Sequence, residues 1–277
     1  MLNNFIVDEI IKKALIEDIH YVDITTDNLI DEECKSYAYI LAKEEGVLCG
    51  IQIAKRVFEI IDEKVEFHVL HNDSDHIKKG DIIAKLYGST RSLLKGERLA
   101  LNILQRLSGI ATKTNKIVNL VKDYKVRIVD TRKTTPNLRA LEKYAVKVGG
   151  GYNHRYNLSE SVMIKDNHIK AVGSITMAVD KIKSKIGHTI KVEIEVKNID
   201  EFKEAISTDV DIIMLDNMNI EDIKECVKLN KRRCVLEVSG NITEDTVLNV
   251  AKTGIDVISI GELTHSVKSL DISMKIE

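Results

Sequence analysis

The stretch KVEIEVKNIDEFKEAISTDVDIIMLDN, residues 191–217, decides how the rest of the chain is read. It opens on a run with strand periodicity, passes through helix-like residues 199–207, and closes on a second apolar run at 210–215. Strand, helix and strand in that order form a parallel β/α unit, because parallel neighbours need a crossover that returns the chain to the same end of the sheet. The texture repeats on both sides. Short apolar runs recur at 126–129, 161–164, 234–238 and 255–260, with helical stretches at 171–185, 220–229 and 243–252 between many of them.

In the first strand of that unit, alternation puts Val192, Ile194 and Val196 on one face and Lys191, Glu193 and Glu195 on the other. The apolar face of a barrel strand packs beneath the helices, so the charged set points inward. Carboxylates there are costly unless a cation or a metal faces them. Lys191 with Glu193 reads as a structural ion pair, and Glu195, nearest the strand's end, as functional.

The other strand ends are also polar. DTRKTTP (130–136) follows the first run and KDNH (165–168) the second. Asp216-Asn217, Ser239-Gly240-Asn241 and Gly261 follow three more. In a β/α barrel these positions converge on one mouth, where active sites lie. An open doubly wound sheet is the competing architecture, but no phosphate-binding Gly-rich loop follows its first strand. Glu195 and Asp216, from adjacent strands, suit either a Mg²⁺ carrying a diphosphate or a developing positive charge on a sugar ring. Arg132, Lys133, His154, Arg155 and Lys165 form the opposing basic wall, and such a cluster calls for a polyanionic ligand. Ser239, Gly240 and Gly261 suit a phosphate cradle, and Gly149-Gly150-Gly151 permits close backbone approach ahead of His154.

The N-terminal part has a different pattern: a helix at 8–17, strand character at 38–42, a helix at 51–62, and strands at 65–70 and 81–87. This is a small α+β domain. Residues 96–107 form a helix that is apolar nearly all round, except for a stripe of Arg98, Asn102 and Gln105 that should face a site or an interface. The net charge of −2 gives no general attraction for nucleic acid. Charges interrupt every apolar run, so neither a signal peptide nor a membrane span is read, and a cytoplasmic location is expected. The cysteines at 34, 49, 226 and 234 form no CxxC pair.

At these residues the sequence resembles the quinolinate phosphoribosyltransferases, also called nicotinate-nucleotide pyrophosphorylases (carboxylating). The strings that carry the resemblance are GERLALNILQRLSGIAT (96–112), DTRKTTPNLRALEKYAVKVGGGYNHRYNLSESVMIKDNH (130–168), KVEIEV (191–196), DIIMLDN (211–217), LEVSG (236–240) and GIDVISIGELTHSVKSLDIS (254–273). The resemblance implies an α/β fold: an irregular β/α barrel of six or seven parallel strands at 111–269, with an N-terminal α/β sandwich domain at 1–110 to which residues 270–277 return. It implies transfer of the phosphoribosyl group of 5-phosphoribosyl 1-diphosphate to quinolinate with decarboxylation, giving nicotinate mononucleotide in NAD biosynthesis, with Mg²⁺ required. Quinolinate is then held by Arg132, His154, Arg155 and Lys165, together with Arg98 from the neighbouring subunit of a homodimer or hexamer. Lys133 matches a phosphate and substrate contact. Glu195 and Asp216 match the carboxylates that serve the metal-bound diphosphate and the ribose, and Ser239, Gly240 and Gly261 the cradle of the 5-phosphate.

Two positions depart from the family pattern. Val22 stands where a glycine is usual, and Asn241 replaces the second glycine of the phosphate loop, where asparagine tolerates left-handed backbone. The rival readings are a related transferase of the molybdate-transport-associated type, acting on another acidic aromatic, and a non-catalytic sugar-phosphate sensor. Retention of the basic wall argues against the first, and retention of Glu195 and Asp216 against the second.

Overall fold

The computed structural model describes residues 2–277. In chain order the elements are α1 (Asn4–Ile19), α2 (Ile24–Leu29), β1 (Lys35–Ala42), β2 (Gly46–Val47), α3 (Ile51–Ile61), β3 (Glu66–Val69), β4 (His76–Ile77), β5 (Ile82–Ser89) and α4 (Thr90–Leu120). There follow β6 (Arg127–Val129), α5 (Arg139–Val148), β7 (Val162–Ile164), α6 (Asp166–Val172), α7 (Ile175–Lys183), β8 (Val192–Val196), α8 (Ile199–Ile206) and β9 (Ile212–Asp216). The chain ends with α9 (Ile220–Asn230), β10 (Val235–Ser239), α10 (Glu244–Ala251), β11 (Val257–Ser259), α11 (Glu262–His265) and β12 (Ile272–Ile276). Two compact units result. One contains the chain up to Asn115, Thr134–Gly150 and Leu263–Glu277; the other contains Lys116–Lys133 and Gly151–Glu262.

The first unit is built on an antiparallel sheet of order β12-β1-β5-β3. The last strand of the chain is one edge of it, with Ala42 opposite Ile272 and Ala38 opposite Ile276. The polar stripe on α4 divides in two. Gln105 fastens the returning chain, donating from Nε2 to the Ile272 carbonyl at 2.7 Å and accepting the Leu270 amide on its own carbonyl at 2.9 Å. Arg98 and Asn102 are exposed. Val22 needs no glycine-like backbone, because the positive φ in this turn falls on His20 (φ 53°) and Asp23 goes on to cap α2.

The second unit holds six parallel strands in the order β6-β11-β10-β9-β8-β7. From β7 to β11 each strand is laid beside its predecessor in one direction, and the first strand, β6, then pairs with the last. A doubly wound sheet reverses direction at a switch point; this winding does not, and it is that of a barrel. Ile128, Ile164, Ile194, Ile213, Leu236, Val238 and Ile258 are buried along it. The helix expected at 171–185 is α7, and its first residues instead end a separate helix, α6, that starts at Asp166. Gly173, at φ 118°, ends α6, and the Ser174 hydroxyl accepts the Met177 amide to start α7.

Carboxylates tie the N-terminal ends of the strands together. Asp256 accepts the Leu236 amide at 2.9 Å, and Asp211 accepts the Val192 amide at 2.9 Å. Asp211 also takes Lys191 Nζ at 2.6 Å and Lys183 Nζ at 3.3 Å. Lys191 therefore pairs with Asp211 and not with Glu193: it precedes the strand and lies exposed, outside the barrel interior where Glu193 sits. Burial pushes the Asp211 carboxyl up, but the hydrogen bonds from Lys191, Val192 and Lys183 outweigh this and hold it below the ordinary carboxylate range. A depressed folded-state pKa contributes stability above the unfolded value, and that contribution disappears as pH falls through the folded one. Asp211→Asn is expected to lose about 1–2 kcal/mol at neutral pH. Urea unfolding should show mutant and parent converging in acid; a constant gap would count against this account.

Among the described residues, no helix is long and apolar enough to cross a membrane.

Candidate active site

The C-terminal ends of the parallel strands bring the predicted charged residues of the second unit to one mouth. Beside β7 runs a cleft of about 460 Å³, lined by Arg132, Arg155, Lys165 and His168 with an apolar flank of Val162, Met163, Ile186 and Ile190. Its basic groups come from short segments that leave strands. Arg132 follows β6, Lys165 follows β7, and Arg155 lies in the loop between. That loop is held by Asp130, which is fully buried at the end of β6. Asp130 accepts Asn153 Nδ2 at 2.6 Å and the His154 amide at 2.9 Å. Arg155 Nη1 donates to the Ser161 carbonyl at 2.8 Å. Burial first, and then the neighbouring Arg132 charge, pull the Arg155 pKa down, so two guanidiniums are held together at some cost. An anion between them relieves that cost.

The acidic wall comes from β8 and β9. Glu195 lies opposite Met214, and Asp216, two residues further along β9, projects from the same face as Met214. Both carboxylates are partly exposed at the mouth. Lys165 Nζ donates to Glu195 Oε2 at 2.9 Å, so the two walls meet at this pair. Two hard, partly open carboxylates on adjacent strands fit a Mg²⁺ ion that takes its other oxygens from water and phosphate, as that ion prefers.

Beside Asp216 the backbone forms a small-residue shelf. Gly240 has φ 99°, and a Cβ on it would stand 2.3 Å from Asn217 Oδ1. Asn217 (φ 55°) and Asn241 (φ 50°) are also left-handed, and Asn241 Nδ2 donates to Asn217 Oδ1 at 3.0 Å. Asparagine at 241 thus takes the conformation a glycine would have supplied. Ser239 and Gly261, at the ends of β10 and just beyond β11, are half-buried. Lys133 is exposed, and Arg98 belongs to the first unit.

The quinolinate phosphoribosyl transferase C-terminal domain model matches residues 110–275 and the N-terminal domain model residues 23–108. The chain belongs to the quinolinate phosphoribosyl transferase family. It is 44% identical over 276 residues to the probable nicotinate-nucleotide pyrophosphorylase [carboxylating] of Bacillus subtilis, covering 99% of this chain and 95% of that one. The crystal structure of NadC from Streptococcus pyogenes is 45% identical and superposes with a TM-score of 0.96 over 100% of this chain and 98% of its own. The nicotinate-nucleotide pyrophosphorylase of Francisella tularensis, at 41% identity, gives 0.95 over 100% and 98%.

In this member of the quinolinate phosphoribosyl transferase family the mouth also holds residues to which the sequence reading gave no role. Asp130 and Asn153 anchor the loop, and His168 Nδ1 accepts the Lys165 amide at 2.9 Å. Glu237, only 3% exposed, lies between the buried Leu236 and Val238 of β10 and so faces into the barrel as Glu193 does. Burial, and then the charge of Glu193, push its carboxyl up to about 7. The folded protein keeps a proton here that the unfolded chain releases in the ordinary carboxylate range. That contribution to stability is full below this range and is lost as pH rises through about 7. Glu237→Gln, which cannot titrate, should flatten the decline in urea midpoint between about pH 4.5 and 8. Equal slopes in the two proteins would refute the assignment.

Proposed function

We propose that this chain transfers the phosphoribosyl group of 5-phosphoribosyl 1-diphosphate to the ring nitrogen of quinolinate, releasing diphosphate and CO₂ and leaving nicotinate mononucleotide. The observation that carries the reading is the meeting of basic and acidic side chains from neighbouring strand ends, bridged by Lys165 and Glu195. A planar dicarboxylate suits Arg132 and Arg155, whose guanidiniums are flat, fixed-charge donors, with Lys165 as a third cation. The sugar diphosphate suits the other side, with its 5-phosphate on the Ser239, Gly240 and Gly261 shelf and Lys133 near its phosphates.

As the C1–O bond loosens, positive charge grows on the ribose ring, and the carboxylates of Glu195 and Asp216 would stabilise it. The pyridine nitrogen attacks C1 and diphosphate leaves with the bonding pair. The C2–carboxylate bond then breaks, its electron pair staying on the ring carbon beside the cationic nitrogen. Protonation of that carbon completes the product. Glu195 and Asp216 would hold a Mg²⁺ ion, which when bound would supply neutralising charge to the diphosphate. No protein nucleophile is required, since the arginines would hold the acceptor, and the shelf with Lys133 the donor, at reacting distance. Arg98, exposed on α4, is assigned to the cleft of a second copy in a homodimer.

Incubation with quinolinate, 5-phosphoribosyl 1-diphosphate and Mg²⁺, followed by chromatography for nicotinate mononucleotide, tests the reaction. Diphosphate release with a different pyridine acid, and none with quinolinate, would overturn it. Gly240→Ala tests the shelf: an added methyl forces out Asn217 and strains a positive φ. The KM for the sugar diphosphate should rise roughly tenfold while that for quinolinate moves little.

A further inference from the structure

In the barrel interior, an imidazole meets two carboxylates. Glu193 comes from β8 and Glu237 from β10, one strand to either side of β9, which is how alternate strands of a barrel build one interior layer. His154 reaches them from the 153–155 loop, and one ligand-type atom from each of the three residues lies within 4.8 Å of the others. Oε1 of Glu193 and Oε1 of Glu237 are buried without a hydrogen-bond partner. That composition invites a divalent cation.

The hydrogen bonds of His154 decide otherwise. Its Nδ1 accepts the backbone N–H of Arg155 at 2.8 Å and so carries no proton. The neutral ring then bears its proton on Nε2, and Nε2 faces Glu193 Oε2 at 3.1 Å and Glu237 Oε2 at 3.6 Å. A metal on Nε2 would drive the proton to Nδ1, straight against the Arg155 amide. The cluster is built to receive a proton from His154, and His154 is built to receive one from Arg155.

We propose that Glu193 and Glu237 are positioning residues of the transfer reaction: they hold His154 in its Nε2–H tautomer, and His154 in turn fixes the backbone of Arg155 and the aim of its guanidinium. The proposal rests on the reading of Arg155 as a carboxylate ligand of the aromatic acceptor. Three residues in succession on this loop are tied down, Asn153 and His154 by Asp130 and Arg155 by the imidazole. The charge of Glu193 also favours the Arg155 cation that burial and Arg132 disfavour. In this arrangement His154 acts through Arg155, as a neutral acceptor, and is not one of the cations that grip the substrate.

The tautomer is read directly by long-range ¹H–¹⁵N correlation on histidine-labelled wild-type protein. His154→Gln identifies its signals among the eight histidines. The expected pattern is a neutral ring with a pyrrole-like Nε2 and a pyridine-like Nδ1, kept in Glu193→Gln, whose amide oxygen still accepts the proton, and lost in Glu193→Ala. Kinetically, Glu193→Ala should raise the KM for quinolinate about tenfold and leave that for the sugar diphosphate within about twofold, with Glu193→Gln recovering most of the loss. An imidazolium or an Nδ1–H ring in the wild type, an equimolar divalent metal on elemental analysis, or equal shifts in both KM values would each overturn the proposal. If the alanine variant does not fold, the wild-type spectrum and the glutamine variant still decide. Failure of the functional reading would appear separately, as wild-type protein with the expected tautomer but no transfer to quinolinate.

Discussion

Glu195→Gln is expected to lower kcat for phosphoribosyl transfer by about 10²–10³-fold, the usual effect of removing one preorganised charge from a developing one. Glutamine keeps the shape of the side chain and leaves an oxygen to accept Lys165, so the 2.9 Å contact survives in weaker form. What it cannot keep is the negative charge that the proposed reaction needs opposite the ribose ring. The position matters because Glu195 is only 12% exposed, so water replaces little of the lost field. Lys165, at 47% exposure, is well hydrated without its partner, and the unfolding midpoint should hardly move. The effect should therefore fall on kcat and kcat/KM together, the signature of an interaction made in the transition state. Steady-state kinetics beside a thermal melt separates the two effects. A kcat within about threefold of the parent would remove Glu195 from the chemistry.

The sequence showed this residue because β8 breaks a simple rule. A strand buried on both faces reads as continuous apolar sequence, and carboxylates at alternate positions announce an interior that has to answer them. The same signal exists at Leu236-Glu237-Val238, where one glutamate sits between buried apolar residues, but a single charge in so short a run reads only as a strand. The partners of these carboxylates were not legible. Alternation pairs Lys191 with Glu193 two residues away, but its partner is Asp211, placed by the parallel pairing of β8 with β9. Such contacts depend on register, which alternation alone does not supply. The break between α6 and α7 was legible in principle, since Gly173-Ser174 is a helix stop followed by a helix start. The apolar periodicity running on into α7 masked it. The tautomer of His154 lies furthest from the sequence, because it is set by one backbone amide and two strands that meet only in the fold.

The largest stability effect is expected in the first unit, at a glutamate that nothing in the sequence marked. Glu142 on α5 is completely buried. Its Oε1 takes Arg106 Nε at 2.8 Å and Nη2 at 2.5 Å, and its Oε2 takes the Thr135 amide at 3.1 Å. Arg106 Nη2 further donates to Thr135 Oγ1 at 2.8 Å and to the Thr264 carbonyl at 3.3 Å. The Glu142–Arg106 pair thus ties α4, the turn before α5 and the returning C-terminal segment together. Glu142→Ala leaves a guanidinium of only 30% exposure beside a cavity and strands the Thr135 amide. Removing one member of a buried pair costs about 3 kcal/mol, because the remaining charge has lost both its partner and its water. At roughly 2–4 °C per kcal/mol for a chain of this size, the melting temperature should drop by about 6–12 °C. Burial, not ion-pair distance, is the reason, and a second pair checks it. Lys13 and Glu9 meet at 2.6 Å on α1 but are 74% and 64% exposed. Glu9→Ala should therefore leave the melting temperature almost unchanged. Calorimetry on the two variants gives the contrast directly: comparable losses would mean that burial does not set the strength of these pairs, and a large loss at Glu142 alone would mean that it does.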